Sequence, residues 1–192
     1  MMPKSGFLHF AAIPLALAIS ACGSNETAPP AGDEDMATPA ATDAAAASVA
    51  TASLKTSEGA DAGTATVSAN ADGLVLSLRV TGLPPGPHGA HVHTTGKCDA
   101  PTFETAGGHW NPADKKHGLE NPAGQHAGDM PNLVVAADGA GTLEYTLKGG
   151  TAEGLLGADG AAMVIHANAD DQKTDPSGDS GGRIACGVFT PG

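Results

Sequence analysis

Alternation of apolar and polar side chains at every second position is the feature that most narrows the fold of this chain. Between residues 73 and 81, Val75 apart, the apolar positions are Leu74, Leu76, Leu78 and Val80. Successive side chains of a strand point to opposite faces, so this pattern predicts a β-strand with one buried face. No segment offers a long apolar stripe at the helical period of about 3.6 residues. The chain is therefore predicted to be all-β.

Turn residues between short apolar runs extend this prediction. Residues 63–68 lead through a turn at 69–73 into the strand just described, and 132–136 lead through 138–141 into 142–147, so both pairs are typical of hairpins. Glycine is abundant, with 27 residues in the chain, which favours tight turns. These features indicate a β-sandwich or flattened barrel. Further strands are predicted at 49–55, 88–94, 162–167 and 184–189.

Two long stretches, residues 96–131 and 168–182, carry no strand pattern. Loops longer than about fifteen residues in a compact domain usually serve a function. Histidines border or occupy both stretches, so we expect the functional site to lie between them.

The N-terminal region predicts export from the cytoplasm. Lys4 precedes an apolar run over residues 7–18 that is too short for a membrane span, which indicates a signal peptide over residues 1–21. The ending Ile19-Ser20-Ala21-Cys22 resembles a bacterial lipoprotein cleavage box, in which Cys22 becomes the lipidated residue. The alternative is an ordinary secretory signal that is cut nearby. We expect a periplasmic or cell-envelope protein in either case.

Composition divides the remainder into a tether and one domain. Residues 22–48 contain almost no large apolar side chains and are predicted to be a disordered tether. Residues 49–192 are numerous enough for one compact core. The net charge of −12 argues against a nucleic acid partner and against an anionic lipid surface. A lipid on Cys22 is thus the one membrane attachment we expect.

The three cysteines fit an oxidising compartment. If Cys22 carries lipid, Cys98 and Cys186 are left as a pair. Neither lies in a C-x-x-C arrangement, which argues against a thiolate metal site or a redox motif.

Seven of the eight histidines lie in the predicted domain. His91 and His93 are two residues apart on a predicted strand, so both side chains leave the same face. Imidazole ligands suit copper and zinc, and three imidazoles with one carboxylate suit a closed zinc site. Six histidines can fill two four-ligand sites only if one imidazole is shared and one carboxylate contributes. The remaining candidate ligands are His109, His117, His126, Asp129 and His166.

The candidate ligands belong to short motifs that share one family's spacing. These motifs are Gly89-Ala-His-Val-His93, Gly107-Gly-His-Trp-Asn-Pro112, Lys116-His-Gly118, His126-Ala-Gly-Asp129, Val164-Ile-His166 and Gly181-Gly-Arg-Ile-Ala-Cys-Gly-Val188. Through them the chain resembles, between about residue 63 and residue 189, the copper/zinc superoxide dismutase family. That resemblance implies an eight-stranded Greek-key β-sandwich or flattened barrel with two long functional loops. It also implies dismutation of superoxide, by one copper ion and one zinc ion, as antioxidant defence in the cell envelope.

The resemblance assigns a role to each side chain of the site. His109 would bridge the metals and exchange a proton during catalysis, Arg183 would receive the superoxide anion, and Asp170 would hydrogen-bond histidines of both metals. Cys98 and Cys186 would form a disulfide, and His88 matches a structural position. Copper would be bound by His91, His93, His109 and His166, and zinc by His109, His117, His126 and Asp129.

Some positions depart from the family pattern or leave alternatives open. Ala90 stands where a large aromatic residue is common, and the short loop after His166 has Lys173 as its one lysine. Trp110 either packs locally or contacts another subunit, so a homodimer stays open. The competing functions are a periplasmic copper or zinc store and a mononuclear zinc hydrolase. The hydrolase would need an open zinc position, which Asp129 is predicted to fill.

Overall fold

The structure is a computed structural model, and it describes residues 47–192. The predicted signal peptide over residues 1–21, the lipidation candidate Cys22 and nearly all of the predicted tether lie outside the described residues. Within residues 47–192, no helix is long and apolar enough to cross a membrane.

The predicted all-β class is confirmed. Beyond the strands, the described part of the chain contains a short 3-10 helix at Glu104–Ala106 and a one-turn helix, α1, at Ala152–Leu155. Residues 47–192 contain ten strands where eight were predicted, because two very short ones, β4 and β10, add to the expected set. The strands are β1 (Ser48–Thr56), β2 (Asp61–Asn70), β3 (Gly73–Val80), β4 (Gly86–His88), β5 (Ala90–His93), β6 (Leu133–Val135), β7 (Gly141–Leu147), β8 (Ala162–His166), β9 (Arg183–Val188) and β10 (Thr190–Pro191).

The strands form one antiparallel sheet that nearly closes into a barrel. Its order is β4-β6-β7-β3-β2-β1-β9-β8-β5, and β10 pairs with β1. Although β4 and β5 are the two edges, only Gly89 separates them in the chain. The backbone of Gly89 donates to Asn168 O at 2.8 Å and accepts from His166 N at 2.8 Å. The sheet edges therefore meet beside the second long loop.

The core follows from the alternation in the sequence. In β3 the side chains of Leu74, Leu76, Leu78 and Val80 are buried, while Arg79 is exposed. Ala90 is fully buried, so a small side chain occupies this part of the core. Trp110 is also buried, and a Cβ on Gly150 would lie 2.6 Å from its ring, so Trp110 packs locally within the chain.

A disulfide joins Cys98 to Cys186, as the family resemblance implied. The two residues are 88 positions apart, and closing a loop of that size stabilises a fold by about 4–5 kcal/mol in the chain-entropy model. A small apolar cluster that includes Phe103, Val164 and Cys186 packs beside the bond. The disulfide thus fastens the start of the first long loop to β9.

Candidate metal centre

Strand β5 supplies the first two imidazoles of the centre. His91 and His93 are two residues apart and both are buried, with relative exposures of 0% and 1%. The edge of β5 that does not pair with β8 is covered by the first long loop, which spans residues 94–132 in the structure. Val92 N donates to Gly128 O at 3.0 Å, and Trp110 N donates to Val92 O at 2.8 Å.

These backbone bonds bring distant residues of the loop to β5. His109 lies opposite His93, and Asp129 lies opposite His91, as isolated antiparallel bridges. Gly128 permits the approach, because a Cβ at this position would collide with the carbonyl oxygen of Val92. The loop therefore delivers one imidazole and one carboxylate beside the two histidines of β5.

Strands β8 and β9 supply the next pair. His166 ends β8, and Arg183 begins β9 directly across the ladder from it. The Arg183 guanidinium is fixed by two carbonyl oxygens, since Nη1 donates to Phe103 O and Nη2 donates to Gly107 O, both at 2.6 Å. Gly107 O also accepts from His93 Nδ1 at 2.9 Å, so one carbonyl places both the imidazole and the guanidinium.

Four imidazoles form the first cluster, each offering one nitrogen within 4.8 Å of the others'. His91 Nδ1 and His109 Nε2 are buried and have no hydrogen-bond partner. His93 Nε2 and His166 Nε2 lie 3.3 Å apart. Buried polar atoms without partners are rare in proteins, and here they converge on one point. The members are His91, His93, His109 and His166.

In the three imidazoles of this cluster other than His109, the second ring nitrogen is hydrogen-bonded to an oxygen, as already described for His93. His91 Nε2 donates to Asp170 Oδ2 at 2.6 Å, and His166 Nδ1 donates to Gly181 O at 3.1 Å. Such bonds fix the tautomer and direct the other nitrogen inward. Burial lowers the pKa of His91 to about 3 and that of His166 to about 4. Both rings are therefore neutral near pH 7, as a metal ligand must be.

The second cluster combines three imidazoles with one carboxylate, again within 4.8 Å. Asp129 Oδ1 lies 2.9, 3.1 and 3.2 Å from the Nδ1 atoms of His109, His117 and His126. Its other oxygen accepts from the backbone N–H of Gly118 at 2.8 Å and of His126 at 2.9 Å. These backbone bonds hold the carboxylate still and turn Oδ1 toward the imidazoles.

Charge in the second cluster differs from that in the first. Burial alone would raise the pKa of Asp129, but the contacts with His109 and His117 outweigh it and hold that pKa far below its usual range. Burial alone would lower the pKa of His117, yet its hydrogen bonds to Asp129 and Asp170 raise it to about 9. An ionised carboxylate beside a protonated imidazole therefore characterises this cluster near pH 7.

Asp170 links the two clusters a second time. Its Oδ2 accepts from His91 as described, and its Oδ1 accepts from His117 Nε2 at 3.1 Å. The side chain is fully buried. The structure thus brings Asp170 to histidines of both clusters.

Two residues that support Asp170 were not predicted from the sequence. Asn132, just before β6, donates from Nδ2 to Asp170 O at 2.8 Å and accepts from Asp170 N at 2.7 Å. A Cβ on Gly178 would collide with Asp170 Oδ1 and lie 2.7 Å from His117 Nε2, so glycine is needed for this close approach. Neither residue belongs to a spacing pattern, and only the folded chain reveals their roles.

His88 stays apart from both clusters, as predicted. It is buried, and its Nδ1 and Nε2 each lie 2.8 Å from a backbone carbonyl oxygen, of His166 and Pro84 respectively. Both ring nitrogens therefore face backbone oxygen and neither is directed toward the clusters.

An open cavity of about 470 Å³ leads to the first cluster. Its lining includes the imidazoles of His93, His109, His126 and His166. The charged residues along its lining are Asp114, Lys115, Lys116, Asp175 and Arg183. Arg183 thus lines the same cavity as imidazoles of the first cluster.

The donor sets fit two different ions. Four imidazole nitrogens, two of them buried without a partner, suit copper, and three imidazoles with one carboxylate suit a closed zinc site. His109 belongs to both sets, with Nδ1 beside Asp129 and Nε2 left for the first cluster. The fold and these clusters define the class: a β-barrel protein with two adjacent candidate metal sites that share an imidazole.

Comparison with known proteins identifies the family. Residues 61–189 match the family described as "Copper/zinc superoxide dismutase (SODC)". The chain belongs to the copper/zinc superoxide dismutase family, whose members are oxidoreductases that bind copper and zinc.

Individual relatives agree with this assignment. The chain is 48% identical over 147 residues to superoxide dismutase [Cu-Zn] of Caulobacter vibrioides, covering 73% of this chain and 84% of the relative. Among solved structures, it resembles a SOD-like protein from Bacillus subtilis, with a TM-score of 0.68, 40% identity, and coverage of 74% and 99%. It also resembles Cu/Zn superoxide dismutase from Brucella abortus, with a TM-score of 0.56, 28% identity, and coverage of 72% and 97%.

Proposed function

We propose that this chain converts superoxide into dioxygen and hydrogen peroxide at a centre bridged by His109. The position of the His109 ring between the two clusters is the observation that carries the proposal. His109 Nδ1 lies 2.9 Å from Asp129 Oδ1, while the buried Nε2 has no hydrogen-bond partner. The proposed copper ligands are His91, His93, His109 and His166, and the proposed zinc ligands are His109, His117, His126 and Asp129.

Bound copper would supply the one-electron redox change, and zinc, which keeps one valence, would supply charge and structure. The overall reaction takes two superoxide anions and two protons to one dioxygen and one hydrogen peroxide. The protein must therefore attract an anion, hold it beside the first cluster and provide protons.

Arg183 is placed to hold the anion. Its guanidinium is fixed by Phe103 O and Gly107 O, and the group has five N–H donors, so some remain for a ligand in the cavity. His93 and His166 line the same cavity. Charge-assisted hydrogen bonds from Arg183 would orient superoxide next to these imidazoles.

His109 is placed to move a proton. Its Nε2 is directed toward the first cluster and can take a proton, whereas its Nδ1 keeps its contact with Asp129. The ring therefore stays in position while Nε2 hands a proton to the reduced substrate.

The cavity lining carries more cationic than anionic side chains, although the net charge of the chain is −12. Lys115, Lys116 and Arg183 line it together with Asp114 and Asp175, and Lys116 pairs with Asp175 at 3.0 Å. Lys173, the one lysine of the second long loop, pairs with Glu120 at 2.7 Å and is not part of the cavity lining. Attraction of superoxide is therefore assigned to Lys115, Arg183 and the bound metals.

The test is the rate of superoxide decay with the purified chain, accompanied by metal analysis. We expect one copper and one zinc per chain, and loss of activity when copper is removed. Arg183→Ala should retain both metals and lower the rate on the order of 100-fold, because it removes an anion-binding group. Arg79→Ala, a change of the chain's other arginine on an exposed position of β3, should leave the rate unchanged.

Two outcomes would contradict the proposal. A chain that holds both metals but leaves superoxide untouched would be a metal store. A rate that survives both Arg183→Ala and copper removal would place the chemistry elsewhere.

We also propose that the enzyme provides antioxidant defence in the cell envelope, anchored through a lipid on Cys22. The lipoprotein-like box and the Cys98–Cys186 disulfide support this, since disulfides persist in oxidising compartments. Cell fractionation should find the chain with membranes, and Cys22→Ser should release it or block its processing. A cytoplasmic wild-type chain would overturn the localisation.

A further inference from the structure

Asp175 belongs to the loop between β8 and β9, yet both of its carboxylate oxygens bond to the other long loop. Oδ1 accepts from the backbone N–H of His117 at 2.8 Å. Oδ2 accepts from Lys116 Nζ at 3.0 Å. One side chain therefore ties the second loop to two consecutive residues of the first.

The position of the His117 backbone determines whether its imidazole reaches both of its partners. Its imidazole is fully buried, with Nδ1 3.1 Å from Asp129 Oδ1 and Nε2 3.1 Å from Asp170 Oδ1. Both ring nitrogens are thus committed to carboxylates on opposite sides. A shift of the main chain would pull the ring away from one of them, so the imidazole geometry depends on where the backbone places Cα.

Other contacts between the loops hold the residues after His117. Glu120 N donates to Gln172 O at 3.1 Å, and Asn121 Nδ2 donates to Lys173 O at 3.3 Å. Within residues 47–192, Asp175 is the only side chain that hydrogen-bonds to the main chain of His117. The loop contacts and the Asp175 contact can therefore be separated by substitution.

The ion pair with Lys116 does not account for the arrangement by itself. The side chains of Lys116 and Asp175 are 62% and 38% exposed. Exposed ion pairs contribute little to stability and weaken with salt. The pair serves to turn the carboxylate so that Oδ1 meets the His117 N–H.

We propose that Asp175 is a positioning residue of the zinc site, acting through the backbone of His117 rather than by binding the ion. The inference rests on the proposed role of His117 as a zinc ligand. Groups that orient metal ligands typically contribute about 10–100-fold to metal affinity. The copper cluster, which has no bond to Asp175, should be affected much less.

The experiment measures zinc affinity of the full chain by competition with a chromophoric chelator. Asp175→Ala should lower the affinity by about 10-fold or more. Asp175→Asn should retain most of it, because the amide oxygen still accepts from the His117 N–H. Cobalt placed in the zinc site should show an altered visible spectrum in the alanine variant and a nearly normal one in the asparagine variant.

Asp171→Ala is the matched control from the same loop. Asp171 Oδ1 accepts from the backbone N–H groups of Lys173 and Thr174, but Asp171 has no bond to His117. It should therefore stay close to wild type in zinc affinity. Retention of one copper per chain in every variant will show that the fold is intact.

The outcomes separate this inference from the proposed function. A wild-type chain that takes up no zinc overturns the zinc assignment itself. Wild-type zinc binding with an unchanged Asp175→Ala variant overturns the role of Asp175 alone. Equal losses in Asp171→Ala and Asp175→Ala, or in Asp175→Asn and Asp175→Ala, would likewise overturn it, by assigning the effect to loop order or to charge.

Discussion

The two clusters share His109 but differ in the charge of their other members. In the first cluster, the proposed copper side, His93 and His166 donate to backbone carbonyls, and burial keeps the imidazoles neutral. In the second cluster, the proposed zinc side, an ionised Asp129 contacts three imidazoles and, together with Asp170, raises the pKa of His117. The imidazoles of the proposed copper side are therefore neutral, whereas the proposed zinc side pairs a carboxylate with a protonated imidazole.

This difference indicates how each half responds to its metal. The rings of the proposed copper side are neutral near pH 7, so each has one nitrogen without a proton and an ion can bind there without displacing any. His117 holds a proton between Asp129 and Asp170, and an ion must displace it because ligands bind in the deprotonated form. Zinc binding should therefore release a proton that copper binding does not.

Removal of Asp129 should have the largest effect on the difference in metal affinity between the two clusters. Asp129→Ala takes away the carboxylate ligand and the acceptor of the Gly118 and His126 N–H groups. We expect zinc affinity to fall by more than the roughly 100-fold cost of losing a ligand's hydrogen-bond partner. Copper should remain bound at one per chain. Metal affinities measured by chelator competition check this, and zinc affinity equal to that of an Asp138→Ala turn variant would contradict it.

A change of pH should have the next largest effect on metal affinity, measured for each metal separately. His117 has a pKa of about 9, so below that pH it must lose a proton before zinc binds. Apparent zinc affinity should therefore rise about 100-fold between about pH 6 and about pH 8. Copper affinity should stay nearly level over this range, because burial lowers the pKa of His91 to about 3 and the pKa of His166 to about 4. Equal slopes for both metals would contradict the contrast.

Removal of Asp170 should affect both halves at once. Its carboxylate fixes the ring of His91 on one side and the ring of His117 on the other. Asp170→Ala should lower both copper and zinc affinity by about 10–100-fold. A loss confined to one metal, measured by the same competition assay, would show that only one of the two hydrogen bonds matters.

The smallest effect should come from crowding at Gly178. Gly178 has φ +64°, and a Cβ there would collide with Asp170 and approach His117. Gly178→Ala should lower the free energy of unfolding by about 1–3 kcal/mol beyond the cost of the backbone conformation. Gly59→Ala measures that cost alone, since Gly59 has φ +84° and nothing within 4 Å. Equal losses in the two variants, from denaturant unfolding, would contradict the crowding.

Local patterns in the sequence predicted the all-β fold and the candidate ligands of the site. Alternation in residues 73–81 predicted β3, and the two-residue spacing of His91 and His93 predicted that both rings leave one face of β5. The structure brings the same six histidines and Asp129 together, while their roles as ligands stay predictions.

Other parts depend on contacts that no local pattern records. Helix α1 has only four residues, too few for a helical period to show in the sequence. Asn132 and Asp175 act across loops that are far apart in the chain, so their partners are defined only when the barrel brings those loops together. The sequence therefore predicts the ligands better than the residues that orient them.

The central claim is that one imidazole, His109, joins the two metals. It is tested most directly by loading the full chain with copper in its site and cobalt in the zinc site, then recording the electron paramagnetic resonance spectrum. A shared imidazolate should couple the two paramagnetic ions and suppress the copper signal, and His109→Ala should restore it. An uncoupled copper signal in the wild-type chain with both sites filled would contradict the account.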